Sequence, residues 1–125
     1  MEHDWDVVVV GAGPAGCLAA TTIAMKSTDL SVLLLDRNPK AEVGKKSSVG
    51  WICGDAVGVH HLDYVSRRLG VNYGRPEIEN LVTAIVVNSP DGESKLEISG
   101  VGALLDRPKF SRRLLQDATR AGVEY

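Results

Sequence analysis

The chain has 125 residues, of which 44% are apolar and 24% charged, a composition typical of a soluble globular protein of about one ordinary domain. Its formal net charge of −2 supplies no basic surface, so we predict no nucleic-acid partner. The acidic start predicts that there is no secretion signal, and no run reaches the about 18 apolar residues that a membrane-spanning helix needs. The two cysteines, in a chain without secretory features, favour a reducing cytoplasm.

The first predicted elements form a β–α–β unit. Four consecutive valines at residues 7–10 have no polar alternation, which predicts a strand buried on both faces of a parallel sheet. A helix follows over residues 14–26, and the apolar run at residues 30–35 predicts the second parallel strand. Small or apolar residues recur every four positions along the helix and are expected to face the sheet: Ala15, Ala19 and Ile23.

A glycine-rich turn links the first strand to the helix, with the sequence Gly-Ala-Gly-Pro-Ala-Gly at residues 11–16. In this motif Gly11 permits a sharp turn, Gly13 lets a diphosphate approach the backbone, and Gly16 lets the helix pack closely on the strand. The helix start offers N–H groups and a positive dipole end to the phosphates. Asp36 ends the second strand about 20 residues later, where a carboxylate meets an adenosine ribose. We therefore predict a dinucleotide site.

A long polar loop over residues 37–50 follows Asp36, and loops of this length are usually functional or mobile. Its Lys45 and Lys46 are interpreted as solvated charges, with contact to lipid phosphate at a membrane surface as a weaker alternative. The Asp36 carboxylate disfavours NADP because it would repel a 2′-phosphate, and it leaves NAD and FAD open. The N-terminal position of the glycine motif and the long loop favour FAD.

The middle of the chain predicts a helix and then a hairpin, whose antiparallel strands differ from the two parallel strands predicted at the start of the chain. Residues 59–69 form the helix, which ends at Gly70. Residues 81–88 and 95–99 are predicted antiparallel strands, because Ser-Pro-Asp-Gly at residues 89–92 is a strong turn signal and the second strand alternates polar and apolar residues. Such a hairpin indicates a second domain that begins inside the first.

The last predicted elements are a short apolar run, a helix and the beginning of a strand. Asp106 is expected to cap the helix, whose apolar face runs from Phe110 to Ala121 and which ends at Gly122. Residues 123–125 then have the character of a new strand. A doubly wound nucleotide-binding sheet needs more parallel strands than these, so we expect the chain to be the N-terminal piece of a larger enzyme.

Three stretches, in this order, resemble the flavin-dependent geranylgeranyl reductase family, especially the archaeal members that saturate isoprenoid lipid chains. The first is Asp-Val-Val-Val-Val-Gly-Ala-Gly-Pro-Ala-Gly at residues 6–16, which many FAD enzymes share. The second and more specific stretch is Cys-Gly-Asp-Ala-Val at residues 53–57, followed by His-Leu-Asp at residues 61–63. The third is Leu-Asp-Arg-Pro-Lys-Phe at residues 105–110, which also resembles the arginine-led helix of aromatic hydroxylases.

The resemblance implies an α/β fold in which a Rossmann-like FAD-binding domain with a parallel sheet is interrupted by an antiparallel substrate domain. The FAD-binding domain would span residues 1–75 and resume, truncated, at residues 104–125, with residues 76–103 as the start of the substrate domain. The implied reaction is reduction of C=C bonds in the geranylgeranyl chains of membrane lipids through reduced FAD. The implied partners are an isoprenoid lipid and an external electron donor that the sequence does not identify, for a cytoplasmic enzyme with peripheral membrane contact.

The resemblance also assigns a cofactor site. Cys53 is the candidate catalytic residue on a loop near the flavin ring, with a small buried hydrophobe as the alternative. Asp55 either binds the flavin edge or caps the following helix, and Arg107 either reaches the diphosphate or is solvated. The residues assigned to FAD are Gly11, Gly13, Pro14, Ala15, Gly16, Asp36, Arg37, Cys53, Gly54, Asp55, Ala56 and Arg107.

Two further side-chain groups have structural interpretations. Cys17, one residue beyond the glycine motif, is interpreted as core filler on a packed helix. The adjacent His60 and His61 are not assigned to a metal, because neighbouring helical residues do not face each other and no third ligand has metal-like spacing. We therefore predict no metal site.

Two alternatives stay open beside the reductase. A flavin-dependent aromatic hydroxylase, a monooxygenase, would share the first and third stretches but would not account for Cys-Gly-Asp at residues 53–55. The other alternative is a catalytically inactive nucleotide-binding fragment, whose unpaired sheet edge would favour aggregation.

Overall fold

The computed structural model describes residues 4–44 and 54–125. They form two compact units, one of residues 4–44 with 107–125 and the other of residues 54–106. The elements in chain order are β1 (Val7–Val10), α1 (Pro14–Lys26), β2 (Val32–Leu35), a 3₁₀ turn (Lys40–Glu42), β3 (Ala56–Gly58), α2 (Val59–Leu69), β4 (Ile78–Asn88), β5 (Lys95–Leu105) and α3 (Arg107–Arg120).

The first unit begins with the predicted parallel β–α–β arrangement. β1 and β2 pair in parallel, with Val7 opposite Val32, and α1 connects them. The chain returns to this sheet at its end, where Leu33 and Glu124 form a parallel bridge. The predicted α/β class and the strand character of the last residues are therefore confirmed.

Only one face of this sheet is covered within the described ranges. Val32 and Leu34 are 1% and 0% exposed on the face toward the helices, whereas Val10 and Leu35 on the opposite face are 82% and 44% exposed. The prediction that β1 is buried on both faces is therefore wrong for the part of the chain that the structure describes. The reason is that, within the described ranges, α1 is the element that packs extensively on both strands, and one helix covers one face.

The buried side of α1 is a row of small residues. Its members are Cys17, Ala20, Thr21 and Ala24. Ala15 and Ala19, which were predicted to face the sheet, are exposed. Nearly every position of this helix is small or apolar, so its sequence periodicity does not determine which side is buried. The contact with β2 and α3 makes that choice.

α3 supplies the larger side chains of the same core. Its buried residues include Phe110, Leu114 and Ala118, as the sequence predicts. Asp117 is also buried, and its carboxylate accepts hydrogen bonds from the Arg113 guanidinium at 3.0 and 3.1 Å. This pairing satisfies a charge that would otherwise be costly to bury.

The second unit is an antiparallel sheet with the strand order β3–β5–β4. The predicted hairpin is confirmed, and its turn contains Gly92 at a φ of +76°. Both strands are longer than predicted, because pairing continues past the polar residues near Ser99 as far as Leu105. The register with β5 shifts at two places in β4, between Ile78 and Asn80 and between Val82 and Ala84.

β3 is a strand that the sequence does not predict. It pairs antiparallel with residues 102–104 of β5, so Ala56 and Val57 of the second family stretch lie beside the hairpin in one sheet. Three residues carry too little periodicity to reveal a strand without their partner. α2 follows directly and ends at Gly70, as predicted, and this glycine has a left-handed φ of +64°. The assignment of chain segments to an FAD-binding and a substrate domain stays a prediction.

Candidate functional site

The turn after β1 bends the chain in a way that favours glycine at its first position. Gly11 has a φ of +102°, a region that residues with a Cβ rarely adopt. Its N–H donates a hydrogen bond to the Leu35 carbonyl at 2.6 Å. The bend therefore begins where β1 and β2 end together.

Gly16 and Gly13 differ in the space around them. A Cβ at Gly16 would lie only 1.8 Å from the Gly11 carbonyl oxygen, so the first turn of α1 rests directly on the bend. A Cβ at Gly13 would meet no atom of the described residues within 4 Å. The third glycine is thus required for close packing, whereas the second leaves room for another molecule to approach the backbone.

The start of α1 presents uncapped N–H groups. Gly13 is the N-cap residue, no described side chain caps the helix, and Pro14 occupies the first helical position. The N–H groups of Ala15 and Gly16 lie in this first turn, where a helix has no carbonyl partners of its own. No acidic residue occupies the turn. Its positive dipole end is therefore suited to an anion.

Asp36 is held beside this turn by hydrogen bonds to both carboxylate oxygens. Oδ2 accepts a hydrogen bond from the Ala12 N–H at 2.7 Å. Oδ1 accepts from the backbone N–H and the side-chain Nδ2 of Asn38, at 2.8 and 2.9 Å. The predicted acid thus lies next to the glycine turn and is fixed in orientation.

The net electrostatic effect on Asp36 favours the ionised form. Burial raises the pKa of this carboxyl, but hydrogen bonds from Asn38 and Ala12, together with the charge of Arg37, outweigh burial and hold the pKa below its usual range. The site therefore carries a fixed negative charge at neutral pH.

A cleft of about 300 Å³ opens at the carboxyl ends of the two strands. It is lined by Val10, Gly11, Leu35, Asp36 and Arg37. Clefts at this edge of a parallel sheet are the usual ligand sites of α/β folds. Of the predicted residues, Gly11, Asp36 and Arg37 line the cleft. Gly16 packs against Gly11, with Gly13, Pro14 and Ala15 between them at the start of α1.

Two residues near the cleft were not assigned to it from the sequence. The Tyr125 hydroxyl donates a hydrogen bond to the Asn38 carbonyl. Burial, followed by the charges of Asp36 and Cys17, raises the pKa of Tyr125. Cys17 contacts the Ala12 carbonyl through its thiol. Neither residue belongs to a motif. The sequence indicates only that Cys17 lies near the start of a predicted helix and that Tyr125 lies in the predicted last strand.

The other assigned residues lie elsewhere in the chain. Gly54, Asp55 and Ala56 belong to the second unit, where Asp55 has a φ of +53° and its carbonyl accepts a hydrogen bond from the Leu105 N–H at 2.9 Å. Asp55 does not cap α2, because the N-cap residue is Gly58. Arg107 opens α3 in the first unit.

Several sequence interpretations concern residues that the structure omits or arranges differently. Cys53, Lys45 and Lys46 lie outside the described residues. The rings of His60 and His61 are in contact, with centroids 3.9 Å apart, although adjacent helical residues were expected not to face each other. Among residues 4–44 and 54–125, no group of three or more His, Cys, Asp or Glu side chains is arranged to hold a metal.

Comparison with known proteins relates the chain to one family and to one group of folds. The family model described as lycopene cyclase protein matches residues 6–124. The digeranylgeranylglycerophospholipid reductase of Sulfolobus acidocaldarius is 35% identical over 124 residues, which are 98% of this chain and 25% of that protein. The chain therefore spans about a quarter of the length of such curated relatives.

Two solved structures have a similar fold. A geranylgeranyl bacteriochlorophyll reductase-like protein of Thermoplasma acidophilum has a TM-score of 0.80 at 27% identity, over 96% of this chain and 29% of that chain. A myxobacterial chondrochloren halogenase, described as FAD-dependent, has a TM-score of 0.73 at 20% identity, over 96% of this chain and 28% of that chain. The second similarity concerns the fold alone.

Replacing Gly16 by Ala should lower the free energy of unfolding by about 3 kcal/mol, because the new Cβ would lie 1.8 Å from a backbone oxygen that must move. Gly13→Ala is the matched control, since its Cβ enters open space, and it should cost less than about 1 kcal/mol. Urea unfolding followed by circular dichroism measures both changes. Equal losses in the two variants would contradict the close packing of α1 on the bend.

The stabilising contribution of Asp36 should depend on pH. Its pKa is lowered in the folded state, so the contribution is complete above about pH 4 and is lost as pH falls through the folded pKa. The difference in free energy of unfolding between wild type and Asp36→Asn should therefore shrink on acidification. Asp29→Asn, at an exposed carboxylate of the same unit, is the control. A difference that stays constant down to pH 2 would refute this role.

Proposed function

Because the chain belongs to the family that the lycopene cyclase protein model describes, we propose that it forms the FAD-binding start of a reductase. It is homologous to the N-terminal quarter of digeranylgeranylglycerophospholipid reductases. The proposed reaction is reduction of C=C bonds in the geranylgeranyl chains of isoprenoid membrane lipids. The observation that carries the proposal is the uncapped helix start beside an ionised Asp36.

The glycine turn fits the diphosphate of FAD. No atom of residues 4–44 or 54–125 lies within 4 Å of a Cβ placed on Gly13, so phosphate oxygens could reach the backbone there. The N–H groups of Gly13, Ala15 and Gly16 would donate hydrogen bonds to those oxygens, and the helix dipole would favour their negative charge. Arg107 at the start of α3 is proposed as an additional partner of the diphosphate, because a guanidinium matches phosphate geometry.

Asp36 would accept a hydrogen bond from a ribose hydroxyl. A carboxylate has about four acceptor positions, and Ala12 and Asn38 already fill three of them. One position remains for the ribose unless the Asn38 side chain moves. The fixed charge would repel the 2′-phosphate of NADP. FAD is preferred to NAD because the three sequence stretches resemble flavin-dependent geranylgeranyl reductases, and the chain is 35% identical to a digeranylgeranylglycerophospholipid reductase.

The second unit offers an apolar surface suited to an isoprenoid chain. A cleft of about 290 Å³ is lined by Val82, Ile85, Ile98 and neighbouring glycines of β5. Ile85 and Ile98 are directly paired across the two strands and are 56% and 49% exposed. Burial of such side chains against a hydrocarbon chain is favourable at about 25 cal/mol per Å². We propose that residues 76–103 of this unit, which carry the hairpin, begin the substrate domain of the enzyme.

When bound, FAD would supply the hydride for alkene reduction. The protein must hold the apolar chain, exclude water and supply a proton, because a trisubstituted alkene is a poor hydride acceptor without protonation. Gly54, Asp55 and Ala56, with Cys53 outside the described residues, are proposed to lie near the flavin ring. Cys53 is the candidate catalytic residue. The electrons would come from an external donor.

We propose a cytoplasmic enzyme with peripheral membrane contact, since its lipid substrate resides in a bilayer. Across the two described ranges, no helix is both long enough and apolar enough to cross a membrane. The chain by itself is expected to bind nucleotide without reducing lipid, because the relatives are about four times as long. The aromatic hydroxylase alternative would be favoured by oxygen-dependent turnover of an aromatic acid.

Gly13→Ala should weaken FAD binding without unfolding the chain. The added methyl group would occupy the space through which a phosphate approaches the backbone, and the loss should be about tenfold or more. Quenching of flavin fluorescence on titration measures the affinity. Gly74→Ala is the control, because its Cβ also meets no described atom within 4 Å but lies in the other unit. Equal FAD affinity in all three proteins would refute the diphosphate site.

The reaction can be tested in a chimera in which this chain replaces the matching quarter of the Sulfolobus acidocaldarius reductase. With chemically reduced FAD, the chimera should add two hydrogens per double bond to geranylgeranyl lipids, as measured by mass spectrometry. The same chimera with Gly13→Ala should lose this activity together with bound flavin. A folded chimera that binds and reduces FAD but leaves every double bond intact would contradict the proposed reaction.

A further inference from the structure

Cys17 contacts the glycine turn at two places, although its position on a packed helix predicted only a filling role. The side chain is 1% exposed. Its thiol donates a hydrogen bond to the Ala12 carbonyl, with Sγ 3.3 Å from the oxygen. Its backbone N–H donates to the Gly13 carbonyl at 3.0 Å. The bond to Gly13 is the first backbone bond of α1, so the thiol contact with Ala12 is what the Cys17 side chain adds.

The thiol keeps its proton at neutral pH. Burial, followed by the negative charge of Asp36, raises the pKa of Cys17 to about 11. The protonated thiol is the form that can donate to a carbonyl oxygen. The contact between Cys17 and Ala12 is therefore maintained under ordinary conditions.

The direction of the Ala12 carbonyl determines the direction of the next N–H group. In a planar trans peptide the C=O and N–H bonds point in opposite directions. The Ala12 carbonyl is turned toward the buried thiol, so the Gly13 N–H of the same peptide points away from it, at a residue that is exposed. The preceding peptide is fixed as well, because the Ala12 N–H is bonded to Asp36.

We propose that Cys17 is a positioning residue for the diphosphate: by holding the Ala12 carbonyl, its thiol aims the Gly13 N–H at the incoming phosphate. The inference rests on the proposed nucleotide site and adds a residue outside the glycine motif. Asp36 and Cys17 then hold Ala12 from two sides. The Asp36 carboxylate fixes the Ala12 N–H, and the Cys17 thiol fixes the Ala12 carbonyl. Asp36 also contacts the ribose, whereas Cys17 acts only through the turn.

The test compares two ligands that differ in phosphate. ADP and adenosine are titrated into the ¹⁵N-labelled chain and followed by amide NMR, which also reports whether each variant is folded. Cys17→Ala removes the thiol donor. Its ADP affinity should fall about fivefold, the size of one net hydrogen bond, while its adenosine affinity changes by less than about twofold. The Gly13 amide resonance should shift in the ligand-free variant.

Two further variants separate positioning from packing. Cys17→Ser keeps a donor and should hold ADP affinity within about twofold of wild type. Thr21→Val is the matched core control, because Thr21 is 3% exposed and its hydroxyl donates to the Cys17 carbonyl at 2.6 Å, within the helix. It should lower stability and leave the ratio of ADP to adenosine affinity unchanged.

Three results would overturn the inference. Cys17→Ala could bind ADP as tightly as wild type, it could lose affinity for ADP and adenosine equally, or Cys17→Ser could behave like Cys17→Ala. Each would reduce Cys17 to a packing residue while the nucleotide site itself stands. Wild-type protein that binds neither ligand would instead remove the proposed site, and the role of Cys17 with it.

Discussion

The hydrogen bond between the Ala12 N–H and the Asp36 carboxylate, 2.7 Å long, is the constraint on which the candidate site depends. It joins residues 24 positions apart at the ends of two adjacent parallel strands. The glycine bend and the acid therefore cannot move independently. A nucleotide that bridges them would meet groups already held in place, and such preorganisation reduces the entropy lost on binding.

Close packing on one side of the bend supports the same geometry. Gly16 brings the start of α1 against the Gly11 carbonyl, and the small side chains of Cys17 and Ala20 keep the helix near the sheet. The core beneath is completed by the larger residues of α3. On the opposite side, no atom of the described residues lies close to Gly13. One short segment therefore combines close packing on one side with an accessible backbone on the other.

The second unit has a different chemistry from the first. The first offers a charged acid and backbone N–H groups, whereas the β4–β5 hairpin presents cross-strand apolar pairs such as Ile85 with Ile98 and Val87 with Leu96. These four side chains are each about half exposed. The FAD-dependent lipid reductase proposed above would require both kinds of surface, a polar one for the cofactor and an apolar one for the hydrocarbon.

The sequence by itself determined the elements with strong local signals: the valine strand, the glycine turn with its acid, the Ser89–Gly92 turn and the helix stop at Gly70. These depend on φ preferences and spacing that act within a few residues. Tertiary structure alone decided which face of the first sheet is covered and that residues 56–58 form a strand. It also decided which side of α1 is buried, the side of Cys17 and Ala20 rather than that of Ala15 and Ala19. Each of those outcomes depends on a partner distant in sequence, which no local pattern can specify.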